Sequence, residues 1–261
     1  MTPSSSNPTI NLNADLGESF GAWRMGDDTA LLQVIGSANI ACGFHAGDPV
    51  VMRDTVRLAL AQGVSLGAHP SYPDLQGFGR RAMQLTPREI EATLLYQIGA
   101  LQAMAAAEGG RVTHVKPHGA LNNLACADEA VAATVAQAVR SLDRDLILLA
   151  PALSALERAG EAAGLRVGRE VFADRSYQSD GQLTPRSQAG AVLHQAQDCV
   201  AHVLRMLDAG GIVTAQGQCL PTRIDSICVH GDGPDAVAAA QQLRLALQAA
   251  GCQLAPLNTL V

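Results

Sequence analysis

One lysine stands among eighteen basic residues; the other seventeen are arginines. Lys116 follows a short apolar run and precedes His118 in Val115-Lys116-Pro117-His118-Gly119-Ala120-Leu121. Arginine is a permanently charged fork, whereas lysine is a compact point charge whose pKa responds to its surroundings. A chain that uses arginine everywhere else and keeps one amine beside a histidine marks that place as a chemical site.

Other groups able to do chemistry recur at one kind of place, just after an apolar run. They are Asn13, Asp15 and Glu18; His45 and Asp48; His69 and, further on, Asp74; Lys116 and His118; Asp174 and Arg175; and His230 and Asp232. Two chemistries fit this set. Asp15, His45 and His69 are an Asp/His/His set that could hold a metal with an open position for water. Without a metal, Asp15 or Glu18 could activate water while a histidine moves the proton and Lys116 and Arg175 hold anions. The sequence does not choose between them. His194 and His202 lie on a helical pattern outside any motif, and His114 reads as a packed residue within its strand. Asp48 and Asp235 read as helix-start residues, Asp74 as a turn residue, Gly77 and Gly79 as a tight loop, and Arg80 and Arg81 as solvated.

The elements needed to gather these groups are β-strands alternating with helices. Strands are expected at 9–13, 37–44, 64–68, 112–116, 145–150, 166–173, 211–215 and 226–229, with a last short one at 254–257. Helices are expected at 49–62, 87–108, 128–141, 153–163, from Thr184 or Ser187 to 209, and at 235–250. Asp48 with Pro49 and Thr86 with Glu89 are N-terminal capping signals, the second a capping box. Such alternation implies parallel strands with right-handed crossovers. The length suits one α/β barrel, TIM-like and seven-stranded, spanning 9–261 after a polar leader at 1–8; an open doubly wound sheet is the alternative. In a parallel barrel every strand ends at one face, so the scattered polar groups would meet there.

Composition narrows the partners. A net charge of −6 and 3% aromatic residues give no basis for binding nucleic acid or an anionic membrane, and no apolar run is long enough to span a bilayer. The six cysteines lack paired CxxC spacing, which points to a reduced, cytoplasmic setting; Cys42 and Cys228 read as buried, inert thiols. Neither a GxGxxG turn after the first strand nor a GxxxxGK[ST] loop is present.

At these motifs the chain resembles the LamB/YcsF family, the A subunits of bacterial ATP-dependent 5-oxoprolinase. The matching stretches are Leu12–Glu18, Ser37–Asp48, Gly67–Pro70, Gly77–Arg81, Val115–Leu121, Glu170–Tyr177 and Cys228–Asp232, so the likeness runs from about Ile10 to the C-terminus. Three positions depart from the family pattern: Ala14 stands in place of a common Cys, Asn122 of a Tyr and Gly233 of a Thr. The resemblance implies a barrel similar to that of sugar deacetylases and some glycoside hydrolases. It implies opening of 5-oxo-L-proline to L-glutamate with hydrolysis of ATP, which with Mg is the co-substrate, and partner subunits B and C; a homo-oligomer stays open. Under that activity Asp15 or Glu18 is the expected base, His118 the proton carrier and Lys116 the anion clamp. Asn13, His45, His69, Asp174, Arg175, His230 and Asp232 are expected to bind or orient the substrate. A metal-dependent deacetylase or amidohydrolase, and a non-catalytic substrate carrier, are the competing expectations.

Overall fold

The computed structural model describes residues 8–229 and 236–261. The expected leader, the His230 and Asp232 expectations, and the helix-start role of Asp235 fall wholly or largely outside the described residues. The strands are β1 (Thr9–Leu16), β2 (Ser37–Ala41), β3 (Ser65–His69), β4 (Val112–Val115), β5 (Ile147–Pro151), β6 (Arg166–Phe172), β7 (Gly211–Val213), β8 (Cys219–Pro221), β9 (Ser226–Val229) and β10 (Gln253–Leu254). The helices are α1 (Asp28–Leu31), α2 (Pro49–Ala61), α3 (Pro87–Ala107), α4 (Gly119–Ala127), α5 (Glu129–Leu142), α6 (Ala155–Ala162), α7 (Ala196–Ala209) and α8 (Ala236–Ala249).

Strands β1 to β6 pair in sequence order, all parallel; β9 then pairs with both β6 and β1 and closes the ring. The result is the expected TIM-like barrel of seven parallel strands, with helices between them. β10 adds two residues alongside the start of β1. The expected capping signals are both present. Asp48 accepts from the Val50 and Val51 amides, and Thr86 and Glu89 cap each other reciprocally.

The barrel interior is filled in layers, as its inward positions require. At the N-terminal end Ile147, Leu149 and Leu257 form their own apolar cluster, with the C-terminal segment plugging the floor. Asn11 and Ser37 fasten that plug, through Asn11 Nδ2 to the Ala255 carbonyl and the Leu257 amide to Ser37 Oγ. Above lies a polar layer of Asn13, Asn39, His114, Glu170 and Ser226, every one of them fully buried. The layer is crowded: a Cβ on Gly67 would meet His114 Nε2 at 2.1 Å, so only glycine makes room for that ring. The top layer opens on the C-terminal face.

Three expectations require correction. Residues 211–215 do not supply a barrel strand. β7 instead folds back on β8 as an antiparallel hairpin, because the turn at 214–218 is too short for a crossover and includes Gly217 at φ 82°. The helix expected from Thr184 or Ser187 starts only at Ala196. Residues 184–191 are tied down by the Arg175 guanidinium, which donates to the Thr184 and Ala191 carbonyls. Helix α4 was not expected, since its Gly and two Asn residues are poor helix formers.

Candidate functional site

The site is built from strand ends outward. On β1, Asn13 and Asp15 point to the interior two residues apart, as strand alternation dictates. Asp15 Oδ1 accepts from Lys116 Nζ at 3.0 Å and from Asn39 Nδ2 at 2.9 Å. Lys116 stands just past β4 and is 2% exposed. Its ammonium also reaches Glu170 Oε1 at 3.1 Å, Asn13 Oδ1 at 3.4 Å and Cys228 Sγ at 3.1 Å, and it lies 5.3 Å from the centroid of the Phe172 ring. Asn13 is fixed in turn: its Nδ2 donates to Glu170 Oε1 at 2.9 Å and Ser226 Oγ at 2.8 Å, while its Oδ1 accepts from Asn39 at 2.7 Å. His114 Nε2 contacts Asn39 Oδ1 at 3.1 Å from the far side.

Electrostatics follow from that burial. Desolvation opposes the Lys116 charge, but Asp15, Cys228 and Glu170 outweigh it and hold its pKa well above the usual lysine range. Burial holds the Cys228 thiol protonated, so the carboxylates are the real counter-charges. Glu170 is pushed up by burial despite Lys116 beside it, and its Oε2 has no hydrogen-bond partner among the described residues. Burial lowers His114 to about 3, keeping that ring neutral.

Next to this cluster is an imidazole group. His69, at the end of β3, places Nε2 at 3.3 Å from Asp15 Oδ2 and Nδ1 at 2.6 Å from the Lys116 carbonyl. His118 Nδ1 is 3.0 Å from His69 Nε2, and His118 Nε2 donates to the Phe78 carbonyl at 2.9 Å. His45 stacks on His118 with centroids 3.9 Å apart and planes 7° apart, and its Nε2 is 3.2 Å from Glu18 Oε1. Burial first, then the neighbouring histidines, hold His45 and His118 well below the usual histidine range. Glu18, His45, His69 and His118 each offer a donor atom within 4.8 Å of the others, which is a grouping a metal ion could use. Two of the expected trio, His45 and His69, fall in this grouping with Glu18 and His118; the third, Asp15, keeps Oδ2 3.3 Å from His69 Nε2 while its Oδ1 is engaged by Lys116.

Both clusters open on a cavity of about 680 Å³ lined by Asp15, Glu18, His69, Lys116, His118, Phe78, Arg80, Arg175 and Arg186, among others. Asn13, Asp15, Glu18, His45, His69, Lys116 and His118 thus converge as the sequence implied. Arg175 reaches the cavity wall, but its fork is spent on loop carbonyls, and Asp174 lies outside the lining. The Asp74 turn and the Gly77–Gly79 loop are as expected, with Asp74 accepting from the Gly77 amide and the Arg81 guanidinium. A Cβ on Gly79 would sit 2.3 Å from Ser71 Oγ and 2.8 Å from His118, so glycine is what lets the loop cover the imidazoles. Arg80 is not simply solvated; it lies 5.0 Å from the centroid of the Phe78 ring at the cavity wall. Sequence reasoning passed over Glu170, Asn39 and Arg80. The first two carried a usable signal, a polar residue within a strand at a position that alternation turns toward the barrel interior.

A closed parallel barrel with an acid, imidazole and amine cluster at the C-terminal mouth defines the class: a TIM-like α/β barrel with the site where such barrels carry their chemistry. Within that class the chain belongs to the LamB/YcsF family, whose model matches residues 10–261. A relative in Azoarcus sp. (strain BH72), named as the A subunit of 5-oxoprolinase, is 65% identical over 94% of this chain and 96% of its own length. Another of that name, from Methylococcus capsulatus, is 57% identical over 96% of each. The crystal structure of a lactam utilization protein from Thermus thermophilus superposes with a TM-score of 0.89 at 44% identity, covering 95% of this chain and 99% of that one. A deacetylase solved with its substrate matches at a TM-score of 0.51 and 14% identity, covering 97% of this chain and 90% of that one; this likeness is one of fold alone. Among the described residues no helix is long and apolar enough to cross a membrane.

Proposed function

We propose that this chain is the A subunit of an ATP-dependent 5-oxoprolinase, which opens the lactam of 5-oxo-L-proline to L-glutamate while ATP is hydrolysed to ADP and phosphate. The names carried by its relatives support the substrate and membership of a multi-subunit enzyme. The observation that carries the chemistry is the Asp15–Lys116 pair, 3.0 Å apart at the cavity wall and beside the His69 and His118 imidazoles.

A five-membered lactam is a stabilised amide that water alone opens slowly. Transfer of the γ-phosphoryl group of MgATP to the lactam oxygen makes the ring carbon electrophilic and releases ADP. Water then adds to that carbon, and Asp15 or Glu18 takes its proton. His118 is the proton carrier: it relays the proton taken from water to the ring nitrogen as the C–N bond breaks, which leaves an acyl phosphate, and a second water hydrolyses that to the glutamate carboxylate and phosphate. Lys116, with its charge secured by Asp15 and Glu170, stabilises the developing anion or the transferred phosphate. Asn13 holds Lys116 and Glu170 in register. His45 and His69 orient Glu18 and Asp15, and Arg175 shapes the cavity wall rather than clamping substrate. With no P-loop in the sequence, the nucleotide is held in part by partner subunits B and C.

The experiment is 5-oxoproline-dependent release of glutamate and ADP, measured with this chain alone and with the partner subunits added. Coupled release of both products in the complex, lost on Asp15→Asn, is expected. Glutamate formed without nucleotide would instead favour an ATP-independent amidohydrolase. Full activity of both Asp15→Asn and Lys116→Arg in the complex would make the chain a passive carrier.

A further inference from the structure

We propose that His69 and His118, with the Asp15 and Glu18 carboxylates beside them, form a site for one divalent transition-metal ion of the zinc class. The argument turns on which ring nitrogens are already committed. His69 Nδ1 lies 2.6 Å from the Lys116 carbonyl oxygen, and His118 Nε2 lies 2.9 Å from the Phe78 carbonyl oxygen. A carbonyl can only accept, so both of these nitrogens carry the proton. The other two nitrogens, His69 Nε2 and His118 Nδ1, are turned toward one another. They stand 3.0 Å apart, with the rings at 84°. Two buried ring nitrogens at that separation, with a carboxylate beside each, make a donor gap that a metal cation fits.

The carboxylates flank the same gap. Asp15 Oδ2 is 3.3 Å from His69 Nε2, and Glu18 Oε1 is 3.8 Å from His118 Nδ1. A tetrahedral zinc ion with bonds of about 2.0–2.1 Å sets its ligand atoms about 3.4 Å apart. Two imidazoles with a carboxylate form a donor set typical of zinc, and anchoring each ring's other nitrogen on a carbonyl fixes the ligating tautomer.

His45 has a different part. Its ring lies parallel to that of His118, and an ion bound in the plane of one parallel ring cannot lie in the plane of the other. His45 Nε2 donates to Glu18 Oε1 and so aims that carboxylate at the gap. This makes it a positioning residue.

A bound ion would engage Asp15, Glu18 and His118, the same groups that the lactam-opening reading uses; the proposal is read by metal content, so its failure leaves that reading intact. The test uses the whole chain, stripped with a chelator, dialysed and titrated with Zn²⁺ and with Co²⁺ at neutral pH. One equivalent of either ion is expected, with Co²⁺ giving a visible spectrum of mixed nitrogen and oxygen ligation that Zn²⁺ displaces. His69→Ala and His118→Ala should each abolish stoichiometric binding. His45→Phe, which keeps the stack, should weaken it about 10- to 100-fold, the usual cost of losing a group that orients a ligand. His194→Ala, at an exposed position, should leave it unchanged.

A measurement on the unsubstituted, metal-free protein guards against variants that fail to fold. Imidazole nitrogen NMR should show His69 protonated on Nδ1 and His118 on Nε2, with His69 Nε2 and His118 Nδ1 shifting when Zn²⁺ is added. If neither nitrogen shifts when Zn²⁺ is added, the proposal is wrong. No stoichiometric binding, or binding that survives both folded alanine variants, overturns it equally.

Discussion

Lys116 Nζ stands 3.1 Å from Glu170 Oε1, and the other oxygen of that carboxylate has no hydrogen-bond partner among the described residues. An amine and an acid are thus buried together at the centre of the barrel, where each makes the other tolerable. Lys116→Met should leave Asp15 and Glu170 without their cation and cost about 3–5 kcal/mol of stability. Adding Glu170→Gln should recover part of that loss, with a coupling of about 0.5–3 kcal/mol in urea unfolding of the four proteins of the cycle. Strict additivity would mean that the two groups do not depend on each other.

Lys116→Arg keeps the charge and changes its shape. Four polar atoms surround a single point here, on Asp15, Glu170, Asn13 and Cys228. A planar fork cannot centre on that point. The complex carrying this variant should lose about 100-fold or more in kcat while keeping its circular dichroism spectrum, a loss of the size expected when an electrostatic stabiliser is misplaced. Unchanged kcat would remove Lys116 from the chemistry.

His114 gives the barrel a pH dependence that can be isolated. Its folded pKa is lowered to about 3 by burial, against 6.5 for the free side chain. A depressed folded value means that the stabilising contribution is present above 6.5 and is lost as pH falls, because the unfolded chain takes up a proton that the folded one refuses. The slope from this group is about 1.4 kcal/mol per pH unit below an unfolded value of about 6.5. Urea unfolding of metal-free protein between about pH 7 and pH 5, the range that brackets the free histidine pKa, should show His114→Gln to be less stable at the upper end and less steep in its decline. Equal slopes for the two proteins would contradict a neutral buried ring.

Arg175 donates to the Thr184 and Ala191 carbonyls and so pins residues 184–191 against the cavity. Arg175→Gln should speed amide exchange in that segment and raise KM more than it lowers kcat, since the loop carries cavity-lining Pro185 and Arg186. Unaltered exchange there would show that the guanidinium does not hold the loop.

How much of this was legible in the sequence depends on the range of the interaction. Helix starts at Asp48 and Thr86 were readable because caps act within about four residues. Parallel strands followed from βα alternation, and convergence of Asp15, His45, His69, Lys116 and His118 followed from the rule that such strands share one face. By itself the sequence determined that these five groups would meet at one face. Tertiary structure decided how they meet: that Lys116 pairs with Glu170 across the ring, that the Phe78 and Lys116 carbonyls set the tautomers of two histidines, and that 211–221 folds back as a hairpin. Those outcomes depend on ångström-scale distances between residues far apart along the chain, and no local pattern of side chains encodes them.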